Sequence, residues 1–333
     1  NGAIKLQLNK PSFTLLNLAG SGSKTIEPVS GSSAFAAALD TTNVTISSTS
    51  SSLTLGSSTN TAAITSGKAT SIAGPINISG GDVTVSTALT ATGSITINSN
   101  GTFTDSAAIS SANGNQATTI KANKAAITST INSGSAVTSI TGFTAGRTLN
   151  LGITNDTLDT LSLSDAELDF ITAGTIRVGD STSGNITVSA AISIASAKSN
   201  NLAVRTAGNI TATGGAIISA TNLGLSAGGT ISLPGTNGVT GNLALVAVGA
   251  SAGSGASFGA SGTYSVDSVD SIDPVYGLGK NISISSAPAI GSTEVRYLNQ
   301  TWSAPPVVTV KDAYGYVISA NNSRKSTYTT TVT

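Results

Sequence analysis

Apolar and polar residues alternate in short runs along the middle of the chain. Each run places an apolar, a polar and another apolar residue in succession, which is the period of a β-strand with one buried face. The polar position usually holds Thr, Ser or Asn, as suits a solvated sheet face. These runs cover residues 44–46, 53–55, 76–78, 83–85, 95–97, 161–163, 176–178, 186–188, 223–225, 231–233 and 282–284. The pattern predicts an all-β chain built from many short strands.

Similar short sequence segments recur along the chain with a loose but recognisable period. Gly-Asn-Ile-Thr at 184–187 returns at 208–211, and the run at 76–78 is echoed by the run at 95–97. A period of about 20 residues is typical of a solenoid, and three short strands with three turns make one coil of a parallel β-helix. Residues 41–290 then form ~12 coils and a rod ~60 Å long, because coils stack at ~4.8 Å. The side chains expected to face its lumen include Ile76, Ile78, Val83, Ile95, Ile97, Ile186, Val188, Ile210, Ile231 and Leu233.

The two ends of the chain differ from this repeat. Residues 1–40 are less repetitive, and we expect them to cap the open end of the solenoid, where unpaired strand edges need cover. Residues 291–333 contain a Pro-Pro pair and five aromatic side chains, which are Tyr297, Trp302, Tyr314, Tyr316 and Tyr328. Runs at 307–310 and 328–332 predict strands there, in a hairpin or an Ig-like fragment.

One interruption of the repeat predicts a helical turn over residues 164–171. Ser164 and Glu167 have the spacing of a capping box, in which each side chain bonds the other residue's backbone N–H. The surrounding stretch is acidic, with Asp156, Asp159, Asp165, Glu167 and Asp169. We interpret these acids as helix caps and solubilising groups.

Composition excludes several classes of function. The chain has no His, Cys or Met, and only 9% of its residues are charged, with a formal net charge of zero. Most catalytic sites use His, Cys or clustered acids and bases, so we predict a protein that is not an enzyme and needs no cofactor. Zero net charge argues against nucleic-acid binding, and no apolar run reaches the ~18 residues of a membrane span. Regular alternation argues against disorder.

Weak candidates for a site remain. Asp267, Asp270 and Asp273, here called the acidic triplet, have oxygen ligands that suit Ca²⁺, although a solvated loop is the simpler interpretation. Arg177 and Arg205 are scattered singly within strands and are expected to face solvent. The C-terminal aromatics are candidates for sugar stacking or for a small local core. Asn-X-Ser/Thr sequons, which permit glycosylation, occur at Asn43, Asn77, Asn155, Asn185, Asn209, Asn281, Asn299 and Asn321.

Two segments of the sequence resemble a known family. They are TLSLSDAELDFITAGTIRVG at 160–179 and SGNITVS at 183–189. The chain is similar to the repeat regions of filamentous-haemagglutinin-like large exoproteins of Gram-negative bacteria, over about 41–290 and most closely over 158–235. The resemblance implies a right-handed parallel β-helix, secretion, and a role in adhesion or cell-surface assembly. An Asn-Pro-Asn-Gly motif of the family's secretion domain is absent, so we expect that domain to lie outside this chain.

Together these observations predict a secreted structural or adhesive protein of the bacterial surface. Its expected partners are other copies of itself, or glycans or proteins of a cell surface. An alternative is a subunit of an extracellular filament or sheath, joined head-to-tail through the strand-like C-terminal stretch 309–333. A polysaccharide-binding or polysaccharide-cleaving β-helix is a remote third possibility.

Overall fold

The computed structural model describes residues 2–247 and, beyond them, five short strands. The strands of residues 2–142 are β1 (Ile4–Leu8), β2 (Leu16–Leu18), β3 (Lys24–Pro28), β4 (Leu39–Asp40), β5 (Val44–Ile46), β6 (Leu53–Gly56), β7 (Ile64–Ser66), β8 (Thr70–Ile72), β9 (Ile76–Gly80), β10 (Val83–Val85), β11 (Leu89–Ala91), β12 (Ile95–Asp105), β13 (Ile109–Ser110), β14 (Thr118–Ile127), β15 (Ile131–Asn132) and β16 (Val137–Gly142). A 3-10 turn, Ala112–Gly114, precedes β14.

The remaining described elements contain the single α-helix of the described chain. They are β17 (Thr148–Leu151), β18 (Thr160–Leu163), α1 (Asp165–Leu168), β19 (Ile171–Thr172), β20 (Thr175–Val178), β21 (Ile186–Val188), β22 (Ile192–Ser193), β23 (Asn201–Thr206), β24 (Ile210–Ala212), β25 (Ile218–Ala220), β26 (Asn222–Ala227), β27 (Ile231–Val239), β28 (Asn242–Ala247), β29 (Ala256–Ser261), β30 (Ser265–Val266), β31 (Ala289–Ile290), β32 (Val308–Lys311) and β33 (Val317–Ile318).

These strands form a parallel β-solenoid of about twelve turns. On its first face twelve strands follow one another in the order β1-β3-β6-β9-β12-β14-β16-β20-β23-β26-β28-β30. The second face runs from β4, β7 and β10, through the C-terminal halves of β12 and β14, to β18, β17, β21, β24 and β27. Shorter strands such as β8, β11, β13, β15 and β19 make the third face. The predicted parallel β-helix is therefore confirmed, while its right-handed sense stays a prediction.

The lumen is filled by the predicted aliphatic ladders. All ten side chains expected to face inward are buried, with at most 1% of their surface exposed. In the register of the first face Leu53, Ile76 and Ile95 stand one above another, and Thr54, Asn77 and Thr96 form the matching outward column. These strands thus bury every second side chain, whereas β16, β26 and β28 bury successive residues. No helix within the described residues has the length and apolarity that a membrane crossing requires.

The N-terminal segment differs from its prediction. Residues 1–40 were expected to form a cap distinct from the solenoid, yet β1 and β3 are its first two strands on the first face and pair in parallel from Ile4 with Lys24. Two features hide this repeat in the sequence. Lys24 occupies an inward position, and the step along the chain to its partner Leu53 is longer than the next step, from Leu53 to Ile76. Residues of the expected cap therefore belong to the solenoid, from β1 onward.

Buried asparagines join successive coils at the turns. The Asn237 side chain accepts a hydrogen bond from Ile218 N in the coil before and donates to Gly259 O in the coil after, at 2.8 and 2.7 Å. Asn60 does the same, accepting from Phe35 N at 3.1 Å and donating to Ser79 O at 3.1 Å. An amide has both donors and acceptors, so one side chain satisfies backbone groups of both neighbouring coils.

Two charged side chains are completely buried in the lumen. Lys24 donates from Nζ to Gly20 O and Gly22 O, at 3.0 and 2.7 Å. Asp105 ends β12 between Val85 and Ile127 of the adjacent coils, and neither carboxylate oxygen has a hydrogen-bond partner. Burial raises the pKa of Asp105 to about 7, although the amides of Ala107 and Ser129 oppose the shift. These amides approach the carboxylate but do not reach hydrogen-bonding geometry.

At the C-terminal end the described strands change from parallel to antiparallel pairing. β32 pairs with β31 and with β33 in antiparallel fashion. It overlaps the strand predicted at 307–310. The predicted runs at 282–284 and 328–332 lie outside the described residues, as does the junction at 291.

Candidate functional site

The largest departure from regular coiling lies at residues 143–172, here called the interrupted coil. Thr138 of β16 pairs with Ile176 of β20, so this coil is nearly twice as long as the one before it, in which Thr118 pairs with Thr138. The extra residues form two parallel strands on the second face, β17 and β18. They are joined by residues 152–159, here called the anchored loop, and α1 follows. The predicted acidic stretch falls entirely within this coil.

The helical turn forms where the capping box predicts it. Ser164 Oγ accepts from Glu167 N at 3.2 Å, while Glu167 Oε2 accepts from Ser164 N at 2.9 Å. The helix covers Asp165–Leu168 and is shorter than the predicted 164–171. It stops early because Ile171 already pairs with Ile131 of the coil below. Leu168 is fully buried, so the turn packs on the core.

Two carboxylates bridge the gap between β14 and β18, which form no ladder with each other. Asp156 accepts from Ala125 N through Oδ2 at 2.9 Å and from Ser162 N through Oδ1 at 2.6 Å. Glu167 Oε1 accepts from Ile127 N at 3.3 Å. Since its Oε2 also binds Ser164 N, each carboxylate accepts one backbone N–H from each side of the gap. We call this junction the carboxylate seam.

A third acid bonds the coil above. Asp165 Oδ1 accepts from Ser193 N, the second residue of β22, at 2.6 Å. Sequence reasoning predicted the capping role of this acidic stretch but missed these inter-coil roles, because they depend on which coils lie above and below. Asp159 and Asp169 are exposed, as expected for solubilising groups.

Buried charges hold the anchored loop. Arg147 is 9% exposed and donates from Nη2 to Thr157 O at 3.2 Å, while its buried Nε has no partner. Burial lowers the pKa of Arg147, and the charges of Asp156 and Asp159 oppose that shift. Burial also raises the pKa of Asp156, against the hydrogen bonds from Ser162 and Ala125. Both charged groups therefore carry a desolvation penalty.

The anchored loop presents apolar side chains to solvent. Leu158 is 85% exposed and Ile153 is 38% exposed, and they are two of the four large apolar side chains exposed in the described chain. Asn155, a sequon asparagine, is exposed between them. The rigid base and the exposed tip make this loop the feature of the described rod that best suits recognition.

The other predicted candidates are distributed elsewhere. The acidic triplet and the C-terminal aromatics lie outside the described residues, and residues 2–247 contain no group of three or more acids that could hold a metal. Arg177 and Arg205 are half-buried in β20 and β23. Two sequon asparagines form hydrogen bonds between successive coils. Asn185 Oδ1 accepts from Asn209 N, and Asn209 Oδ1 accepts from Thr230 N. The structure does not gather these residues into one site.

Comparisons with known proteins add no relative. No protein-family model matches the chain. No curated protein matches it, and no solved structure does so. The resemblance to filamentous-haemagglutinin-like exoproteins therefore stays a prediction, and the interpretation of the interrupted coil depends on its own geometry.

Proposed function

We propose that this chain is a secreted structural protein of a bacterial surface, in which the β-solenoid is a rod that presents an adhesive loop. The parallel solenoid supports the mechanical part of this role, because its first face is a continuous ladder of twelve parallel strands and shorter ladders join successive coils on the other two faces. The scarcity of charge and the family resemblance support an extracellular surface protein. Adhesion is assigned to the anchored loop.

The observation that carries this assignment is the exposure of Leu158 on a loop whose base is fixed. A single exposed leucine is ordinary on a protein surface. Here, however, the loop is held through the buried side chain of Arg147 and the half-buried side chain of Asp156, and desolvation disfavours the charged form of both. A loop ordered before contact loses less conformational entropy when it binds. We infer that the anchored loop is held in one conformation so that it can bind a partner.

An adhesion assay tests the loop directly. Beads coated with the purified protein are incubated with cultured epithelial cells and, separately, with bacterial cells, and bound beads are counted. Leu158→Ser is expected to reduce binding to one of these surfaces by about tenfold, the loss of about 1.4 kcal/mol. Thr187→Ser, on an outward position of β21, is the matched control. Equal binding by both variants and the wild type would contradict the assignment.

A second candidate function is the filament subunit, which the free edge of β1 favours. No described strand lies beyond β1, and Ile4 donates its N–H inward, to Ser23 O at 2.8 Å. Because N–H directions alternate along a strand, Lys5 and Gln7 direct theirs to the open side. Ile4 and Leu6 are only partly buried. A strand from another copy, supplied by residues 309–333, would extend the sheet there and grow a head-to-tail filament.

Negative-stain images of three variants test this second function. Deletion of residues 304–333 removes the proposed donor strand. Gln7→Pro removes one N–H from the outer edge of β1 and keeps the backbone N–H groups that pair β1 with β3, although the side-chain bond from Gln7 to Glu27 is lost, as it is in the control. Gln7→Ala is the control, because it keeps the backbone N–H. Filaments are expected from the wild type and the control only. A wild type that stays monomeric at high concentration, or filaments that survive the deletion, would refute the filament hypothesis.

A further inference from the structure

The interrupted coil connects the solenoid unequally on its three faces. On the first face β16 and β20 pair across it over four residues each, Val137–Ile140 with Thr175–Val178. On the third face two residues of β15 pair with β19, as many as in the ladders β11–β13 and β13–β15. On the second face the carboxylate seam replaces the ladder between β14 and β18. We call residues 2–142 the N-terminal block and residues 173–247 the C-terminal block.

We propose that the carboxylate seam divides the rod into two cooperative folding units, so that one block can open while the other stays folded. In a solenoid each coil contacts only its neighbours, and stability is a sum of coil terms and interface terms. The parts of the rod on either side of the weakest interface therefore unfold independently of each other. We infer that the seam interface is the weakest, because on the second face two side chains carry the bonds there that a backbone ladder carries between all other successive strands from β4 to β29.

The chemistry of the seam explains its vulnerability. Ala125 and Ile127 direct N–H groups toward the seam from below, and Ser162 and Ser164 do so from above. Donors that face donors need an acceptor between them, and an ionised carboxylate accepts at both oxygens without donating. Loss of one carboxylate leaves two N–H groups without acceptors. In a ladder, by contrast, every residue supplies its own acceptor.

Glu167→Gln is the most direct perturbation. The substitution keeps the size of the side chain but turns one acceptor into an NH₂ donor, which then opposes Ile127 N or Ser164 N. Asp169→Asn is the matched control, because Asp169 is an exposed acid of the same coil. Ser164→Ala is a second control. It removes the hydroxyl that accepts from Glu167 N and donates to Glu167 Oε2, but it keeps the two backbone N–H bonds that Glu167 accepts across the seam.

Native-state hydrogen exchange of the full chain, followed by mass spectrometry at rising denaturant, measures the opening of each peptide. For the wild type we expect two plateaus of protection, one for each block, with the step inside residues 143–172. Glu167→Gln should speed exchange of peptides that contain Ile127 and Ser164 by at least about tenfold, the loss of a charge-assisted hydrogen bond. The variant should also increase the difference in protection between the N-terminal block and the C-terminal block.

Four outcomes would overturn the proposal. The first three are one common plateau over the whole described rod, a step located in another coil, and a Glu167→Gln profile that matches that of Asp169→Asn. If Ser164→Ala reproduces the full effect of Glu167→Gln, the acid acts only as a helix cap and the proposal is wrong. Should Glu167→Gln fail to fold, the position of the step in the wild type still decides between one unit and two.

Discussion

Asp105 gives the sharpest prediction of pH-dependent stability. Its carboxyl is fully buried between Val85 and Ile127, and its pKa is raised to about 7 because burial disfavours the charged form. In the unfolded chain its pKa is near the ordinary value of 3.8. Between these values the folded protein binds a proton that the unfolded protein has lost. The free energy of unfolding therefore falls as pH rises through this interval.

The magnitude follows from the width of the interval. A shift of about three pKa units, at about 1.4 kcal/mol each, corresponds to about 4 kcal/mol. This contribution is fully present below about pH 4 and lost above about pH 7. Asp105→Asn has no charge to bury at any pH. At about pH 4 we expect it to unfold at nearly the same denaturant concentration as the wild type, and at about pH 8 to be more stable by up to about 4 kcal/mol.

Urea unfolding, followed by far-UV circular dichroism across this pH range, measures the difference. The comparison isolates Asp105, because Asp156, whose pKa is also raised, and Glu27 and Asp180, whose pKa values are lowered, remain in both proteins. Asp169→Asn serves as the control for removal of an exposed acid. A difference between wild type and Asp105→Asn that is constant with pH, or that grows as pH falls, would refute the reasoning.

Three further predictions concern the core, the turns and metals. Ile186→Asp should prevent folding, since it buries an unpaired charge, whereas Thr187→Asp, one residue along and outward, should change stability by less than about 0.5 kcal/mol; both are read by circular dichroism. Asn237→Ala should destabilise by about 2–4 kcal/mol in urea unfolding, because it orphans backbone groups in three coils, while Asn113→Ala at an exposed turn should have little effect. EDTA should leave the melting temperature unchanged; a large drop would instead indicate a calcium site at the acidic triplet.

The repeat could be predicted from the sequence because it depends on local alternation. A polar residue at every second position allows only one face of each strand to be buried, and the ladder of Leu53, Ile76 and Ile95 follows from that rule alone. The helical turn could be predicted for the same reason, because a capping box depends only on Ser164 and Glu167, which are three residues apart. These elements needed no knowledge of which coils are neighbours.

The departures from the repeat needed that knowledge. Asp105 and Lys24 occupy inward positions where the alternation predicts apolar residues, so each is the exception to the pattern that revealed the rest. Asn60 and Asn237 have the composition of turns, and only the stacked structure shows that their amides bond both neighbouring coils. For the same reason the acids of the interrupted coil were assigned to capping and solubility, and their bonds to Ala125, Ile127 and Ser193 were missed.

The location of charge along the rod has a physical reason. Residues 2–247 contain ten acids, and half of them lie between 156 and 169. In regular coils the backbone ladders supply acceptors along the faces, so Ser, Thr and Asn suffice at most outward positions, and an acid such as Asp82, which accepts from Thr102 N, serves a single turn. Where β18 and α1 displace the ladder, backbone donors of neighbouring coils face each other, and carboxylates, which accept at two oxygens and donate at none, are the side chains that satisfy them. The same requirement fixes the base of the anchored loop through Asp156. A solenoid that carries an insertion thus gathers acids at the place where it also gains a protruding loop, which is why the weakest interface and the best candidate for recognition coincide in one coil.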